Sequence, residues 1–262
     1  MIRGRGFGTH INRYLKSTGY QIVNIARRHK AYYEDADEAD DATIAAVRPF
    51  TGSSNERILA VRDAILYVER FGIPGAIVEC GVLRGGMMMA AARTLLEIDA
   101  ADRDIYLFDT YEGMTEPSAE DIDFTGESAA AILAQSERTA ETIWAYASIE
   151  DVRGNLRRTG YPEARLHFVK GPVDETLPKQ APTQVAVLRL DTDWYESTRH
   201  ELEHLIPRLV PNGVLIVDDY GHWRGSRKAV DEFLATTNRP VLLSRTDYTC
   251  RMAVVPGPAP RV

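Results

Sequence analysis

Apolar residues along this chain fall into two periods. Mostly apolar runs of four to six occur at Ala76-Ile77-Val78-Glu79-Cys80, Ile105-Tyr106-Leu107-Phe108, Arg165-Leu166-His167-Phe168-Val169, Val185-Ala186-Val187-Leu188-Arg189-Leu190 and Gly213-Val214-Leu215-Ile216-Val217. Short β-branched and aliphatic runs of this kind read as buried parallel strands. Between them the spacing turns helical. Ile58, Val61, Ile65 and Val68 share one face, with Phe71 closing the stripe. A small-residue helix follows at Met87 to Leu96, and residues 196–210 carry another. Ser53-Ser54-Asn55-Glu56 is a capping box for the first of these helices, and Gly72 with Pro74 stops it. Pro240-Val241-Leu242-Leu243 and Thr249 to Val255 predict a closing antiparallel pair. Strands alternating with helices predict an α/β fold, a doubly wound, mostly parallel seven-stranded sheet. Residues 1–50 form an N-terminal arm, helical at 11–29, and 51–262 the main domain with a lid-like insertion at about 115–158.

Composition narrows the function classes. At 262 residues with 44% hydrophobic side chains the chain suits one α/β domain. A net charge of −7 argues against nucleic acid as partner. Arg3, Arg5, His10, Arg13, Lys16, Arg27, Arg28 and Lys30 are followed at once by Glu34, Asp35, Asp37, Glu38, Asp40 and Asp41, so the arm reads as a solvated amphipathic segment. Cys80 and Cys250 make no disulfide framework, and Cys80 lies inside a strand as a buried thiol. No apolar run approaches the ~20 residues of a membrane helix, and the N-terminus lacks a signal-peptide core. A cytoplasmic protein without a membrane partner is expected.

The chemistry gathers at strand ends. Asp191-Thr192-Asp193 follows the fourth run and Asp218-Asp219-Tyr220 the fifth. Open α/β sheets bind ligands at the carboxyl ends of their strands. Carboxylates held that close repel each other unless a cation sits among them, and oxygen-only ligands favour a hard ion such as Mg²⁺. The first strand-to-helix turn, Glu79-Cys80-Gly81-Val82-Leu83-Arg84-Gly85-Gly86, lets backbone approach a ligand or simply permits tight packing. It is neither GxGxxG nor a P-loop. An acidic residue two before the first glycine suits S-adenosylmethionine, whose amino-acid end carries an ammonium and no phosphate. Asp109 ends the second strand, where it either accepts hydrogen bonds from ribose hydroxyls or caps a helix. Val173, just past the third strand, lines an adenine slot or is an ordinary loop residue.

Two short motifs point elsewhere. His200-Glu201-Leu202-Glu203-His204 matches the HExxH of zinc proteases. On a helical wheel Leu202, Leu205, Ile206 and Leu209 share one face and both histidines fall opposite it, towards water, and Pro207 breaks the extended zinc pattern. Asp191-Thr192-Asp193 also matches the DxD of metal-dependent glycosyltransferases, a reading that leaves Asp218, Asp219 and the glycine turn without roles.

Taken together, Glu79-x-Gly81-x-x-x-Gly85-Gly86, Asp109-Thr110-Tyr111-Glu112-Gly113, Asp174-Glu175-Thr176-Leu177-Pro178, Leu190-Asp191-Thr192-Asp193 with Tyr195-Glu196-Ser197-Thr198, and Ile216-Val217-Asp218-Asp219-Tyr220 resemble the macrocin O-methyltransferase family. The resemblance spans about residues 55–255. It implies a class I methyltransferase fold, transfer of a methyl group from S-adenosylmethionine to a sugar hydroxyl of a glycosylated natural product, and a homodimer or larger assembly. It implies Asp191, Asp218 and Asp219 as Mg²⁺ ligands, and a cofactor site of Glu79, Gly81, Gly85, Gly86, Asp109, Thr110 and Val173. Asp191 then doubles as general base, with Asp193 next in line. Catechol O-methyltransferases share a similar acidic layout but place a lysine three residues past the first aspartate; Trp194 stands there in this chain. Arg227 and Lys228 read as helix surface charges. The remaining alternatives are a glycosyltransferase and a non-catalytic adenosine-binding protein.

Overall fold

The computed structural model describes residues 35–257, so the arm helix expected at 11–29 lies outside the described residues. The chain divides after Asp41 into two units. Of the first unit the described part is the acidic start of helix α1 (Glu38–Val47), where Asp37 Oδ1 accepts the N–H groups of Ala39 and Asp40 at 2.8 and 2.9 Å.

In the second unit, strands β1 (Ala76–Cys80) and β4 (Val185–Leu190) are buried at every position, as parallel strands covered on both faces must be. With β2 (Ile105–Asp109), β3 (Leu166–Lys170), β5 (Leu209–Val217), β6 (Ser244–Arg245) and β7 (Arg251–Val255) they form a seven-stranded sheet in the order β3-β2-β1-β4-β5-β7-β6. The first five strands run parallel and β7 runs antiparallel between β5 and β6. The order reverses between β1 and β4, which makes their carboxyl ends the switch point where such sheets bind ligands.

Side chains two apart on a strand share a face. Ile77, Leu107, Val187, Val214 and Ile216 pack towards α2 (Asn55–Arg70), α3 (Gly86–Glu97) and α5 (Ile149–Arg157). Val78, Phe108, Leu188, Leu190, Leu215 and Val217 pack towards α7 (Tyr195–Leu205) and α8 (Arg224–Thr236). Two shorter helices, α4 (Ala129–Gln135) and α6 (Val173–Thr176), complete the set described.

Several expectations shift in detail. Ser54, not Ser53, caps α2, accepting Arg57 N–H at 3.3 Å, and Arg57 occupies the position where a capping box needs Glu or Gln. Ile58, Val61, Ile65 and Val68 are buried as expected, but Phe71 is 64% exposed. It is the residue at which α2 ends, and Gly72 behind it turns left-handed at φ 61°. β5 begins four residues early, because Pro211-Asn212 interrupts the apolar run without ending the strand. Residues 240–243 form no strand: β7 pairs with β5 on one side and with Ser244–Arg245 on the other, and Leu242 is 81% exposed. The stretch expected as an insertion ends in α5, whose Val152 and Leu156 are fully buried in the core.

Candidate active site

Backbone hydrogen bonds run across the strand ends and set three loops side by side. Gly81 N–H donates to Phe108 C=O, Asp191 N–H to Cys80 C=O and Asp218 N–H to Leu190 C=O, each at 2.9 Å. Above them opens a cavity of about 430 Å³ lined by Gly81, Gly86, Asp109, Thr110, Val173, Asp191, Asp193, Asp218 and Asp219, among others. Gly81 has φ 79°, and a side chain there would run into the backbone carbonyl of Asp191. Only glycine lets the exits of β1 and β4 approach this closely. A Cβ on Gly86 would come within 2.6 Å of the Phe50 carbonyl oxygen. Gly85 instead packs against Leu156 and Val152, the packing role that its sequence context also allowed.

The wall on the β1–β2 side is built from backbone. Asp109 Oδ2 accepts Val82 N–H and its Oδ1 accepts Tyr111 N–H, both at 2.7 Å. The carboxylate thus ties the glycine turn to the loop after β2. Burial pushes Asp109 above the usual carboxylate range, opposed by these amides. Thr110 Oγ1 donates to Gly113 C=O at 2.6 Å, and Val173 is buried as the first residue of α6. Leu83 at φ 47° and Tyr111 at φ 53° are held left-handed in these loops, and Asp193 at φ 64° in the loop opposite, a strain that clusters at functional sites.

The wall on the β4–β5 side is built from charge, and its centre is Arg189, which the sequence motifs passed over. Its side chain is 1% exposed. Nη1 donates to Glu79 Oε1 and to Asp191 Oδ2, each at 2.6 Å; Nη2 donates to Asp218 and, at 3.3 Å, to Ser53 Oγ. Arg57 from the first turn of α2 pairs with Asp218 as well and with Asp247 at 2.8 Å. A protein guanidinium therefore sits among the carboxylates whose crowding called for a cation. A signal was present: Arg189 stands inside an otherwise apolar strand, in register with Glu79 of β1. Buried charges of opposite sign must pair. Glu79, expected at the cofactor, is 1% exposed beneath the cavity; burial pushes it up to about 7, and its Oε2 has no hydrogen-bond partner.

Asp191, Asp218 and Asp219 remain close enough to share an ion, with one oxygen from each lying within 4.8 Å of the others. The donor set is all oxygen, and burial raises Asp191 and Asp219 above the usual range, with Arg189 opposing it. Three hard donors in a desolvated pocket fit Mg²⁺. Among the described residues no other such group gathers. Asp193 N–H donates to Asp219 Oδ2 at 3.2 Å, and burial pushes the Asp193 carboxyl up to about 7.

α7 corrects the wheel. His200 and His204 are half-buried rather than in water, edge to face at 4.3 Å, and His200 Nε2 is buried without a partner. Glu201 between them is fully buried, because Thr198, Leu202 and Leu205 share its face. It accepts Thr192 Oγ1 at 2.9 Å, and burial pushes it up to about 8. The residues of HExxH thus diverge. The insertion docks at the same end of the sheet. Asp121, fully buried, accepts Tyr195 N–H at 2.7 Å, and Trp194 Nε1 donates to Thr115 C=O at 3.1 Å. Arg227 and Lys228 pair with Asp231 and Glu120 at the surface.

Comparison with known proteins agrees with this frame. The profile of the macrocin-O-methyltransferase (TylF) family matches residues 10–253. The chain is 35% identical over 149 residues to the 8-demethyl-8-(2,3-dimethoxy-alpha-L-rhamnosyl)-tetracenomycin-C 4'-O-methyltransferase of Streptomyces olivaceus, a match covering 57% of this chain and 54% of that protein. The chain thus spans about half the length of that relative. It is 30% identical over 212 residues to the demethyldecarbamoylnovobiocin O-methyltransferase of Streptomyces niveus, covering 81% of this chain and 77% of that one. The solved structure of the O-methyltransferase NovP superposes with a TM-score of 0.69 at 27% identity, over 79% of this chain and 83% of that one. The chain belongs to the macrocin-O-methyltransferase (TylF) family.

Proposed function

We propose that this protein is a Mg²⁺-dependent O-methyltransferase that moves a methyl group from S-adenosylmethionine to a sugar hydroxyl of a glycosylated small molecule. One observation carries the reading: a single cavity has the glycine turn and Asp109 on one wall and the three clustered aspartates on the other. The names of the relatives support a glycoside acceptor. Family membership leaves the glycosyltransferase and scaffold alternatives without support.

In this reading Gly81, Gly86, Asp109, Thr110 and Val173 shape the cofactor wall, and Glu79 supplies negative charge beneath it, towards an ammonium. Asp191, Asp218 and Asp219 would hold Mg²⁺, which when bound supplies a Lewis acid that lowers the pKa of a hydroxyl. Arg189 and Arg57 keep those carboxylates in place and offset part of their charge. The acceptor proton goes to an aspartate. Arg189 already occupies one oxygen of Asp191, whereas Asp193 lines the cavity and makes no ion pair among the described residues, so Asp193 takes the preference over Asp191 as base. Trp223 lines the cavity and packs edge to face on buried Trp194 at 5.0 Å, an apolar backing that keeps water out on that side. A homodimer or larger homo-oligomer acting in the cytoplasm belongs to the same proposal. No helix among the described residues is long and apolar enough to cross a membrane.

Calorimetry and labelled-methyl transfer with S-adenosylmethionine, with and without chelator, test this reading. Chelation should abolish transfer to glycosides while cofactor binding persists. Full transfer in a metal-stripped sample would sink the Mg²⁺ role, and absence of cofactor binding would sink the function. Asp191→Asn and Asp193→Asn should each lower turnover by at least ~10²-fold. Excess Mg²⁺ should rescue the first and not the second; rescue of the second instead would return the base role to Asp191.

A further inference from the structure

Three aromatic rings stand at the mouth of the cavity, two of them largely exposed. Phe124 and Tyr248 are each 59% exposed, among the few large hydrophobic side chains so placed. With His222 they form a triangle of rings packed edge to face, Phe124 to His222 at 5.2 Å, His222 to Tyr248 at 6.3 Å and Phe124 to Tyr248 at 6.4 Å by ring centroids, and His222 packs inward on Trp223 at 4.9 Å. His222, Trp223 and Tyr248 line the cavity itself. His222 N–H donates to Asp219 C=O at 2.9 Å, so the innermost ring begins one turn from the acidic cluster.

These rings are held in place. Phe124 sits at the tip of a tight hairpin in the insertion, where Asp123 Oδ1 accepts the N–H groups of Thr125, Gly126 and Glu127 at 2.8 to 2.9 Å. The hairpin is fastened beside His222 by a bridge from Asp123 to Trp223 and by Arg224 N–H to Ile122 C=O at 2.8 Å. Exposed apolar surface continuous with a cavity marks a binding surface. The two guanidiniums that line the cavity, Arg57 and Arg189, are both already paired with carboxylates, so among the described residues the lining offers a diphosphate no free cation.

We propose that Phe124, His222 and Tyr248 form a cradle for the flat, apolar, uncharged aglycone of the acceptor, holding it outside while its sugar reaches the aspartates. This rests on the glycoside reading above and adds what the rest of the acceptor must be: an aromatic or similarly planar group attached directly to the sugar, rather than a nucleotide. Such a contact should favour a planar aglycone by about tenfold or more.

The test uses the full chain with three probes sharing one sugar: 2-naphthyl α-L-rhamnoside, methyl α-L-rhamnoside and TDP-rhamnose, each titrated by calorimetry and assayed for methyl transfer. The naphthyl glycoside should bind at least about tenfold more tightly than the methyl glycoside. In the Phe124→Ala/Tyr248→Ala double variant that gap should close; both side chains are mostly exposed, so the fold should survive. Equal binding of the two glycosides, a gap that survives the double variant, tighter binding of TDP-rhamnose, or no binding of any glycoside would each overturn the cradle. Failure of the proposed function looks different: ring-dependent naphthyl binding without methyl transfer would retain the cradle and discard the sugar methylation.

Discussion

The two walls of the cavity are held by opposite means. The wall after β1 and β2 is a backbone structure, in which glycines admit close approach and Asp109 accepts two amides. The wall after β4 and β5 is a side-chain structure, in which Arg189 spans Glu79, Asp191 and Asp218. A backbone wall keeps its shape through covalent geometry and tolerates changes of charge. A charge-held wall depends on every member, because removing one leaves the others buried and unpaired. On the proposed assignment of the walls, cofactor recognition and acceptor chemistry therefore differ in how they fail.

The largest effect should come from breaking the charged wall at its centre. Arg189→Met leaves Glu79, Asp191 and Asp218 without their shared donor and should cost about 3–5 kcal/mol of stability, with loss of turnover, as read from urea unfolding midpoints. Arg189→Lys should recover little, since an ammonium lacks the fork that reaches three carboxylates. A wild-type midpoint in Arg189→Met would mean the wall is not charge-held.

A smaller effect should follow on the other side. Asp109→Ala removes the acceptor for Val82 and Tyr111 and should raise the S-adenosylmethionine dissociation constant by roughly tenfold or more, in line with ~1.5–3 kcal/mol for a charge-assisted hydrogen bond. An unchanged constant by calorimetry would leave Asp109 as a strut between loops and nothing more.

The smallest effect shows only in a pH slope. Burial keeps Glu201 protonated up to about 8, against 4.5 for an ordinary glutamate. Between those values the folded chain retains a proton that the unfolded chain has released, so this group's contribution is full below about 4.5 and stability declines as pH rises towards 8. Glu79, pushed up to about 7, acts in the same direction. Glu201→Gln should flatten the decline of the unfolding midpoint between about pH 5 and 8 while preserving an acceptor for Thr192. An unaltered slope would mean that Glu201 is already charged at neutral pH.

The backbone wall was legible in the chain and the charged wall only half so. Glycines, strand-ending aspartates and apolar runs advertise a switch-point cavity because each is forced by local geometry: Gly81 by its φ, Asp191 and Asp218 by the register of β4 and β5. Arg189 was hidden because its partners come from positions 79, 191 and 218, which only the assembled sheet unites. Glu201 was hidden by a wheel drawn for the apolar Leu202, Leu205, Ile206 and Leu209 alone, although Thr198 and Leu205 carry it to the same face. The aromatic mouth was hidden for a similar reason, since Phe124 and Tyr248 meet across 124 positions of chain. Phe71 and residues 240–243 misled in the other direction: Phe71 and Leu242 stay mostly exposed, and Val241 and Leu243 pack on the core from a segment that joins no strand.

Asp121 bears on how such enzymes diversify. Helix α7 opens at Trp194, which offers no side-chain oxygen of its own, and the insertion lends Asp121 to Tyr195 N–H in its place. The same aspartate fills the space that Gly225 leaves open at the start of α8. The insertion, which in the proposed reading faces the acceptor, is thus also a structural part of the helices that follow both acidic loops. Exchanging it wholesale for the corresponding segment of a relative would succeed only where the donor carries a matching carboxylate. Point changes at exposed tips such as Phe124 leave that joint intact, so acceptor preference can drift one side chain at a time while the segment itself is inherited as a unit.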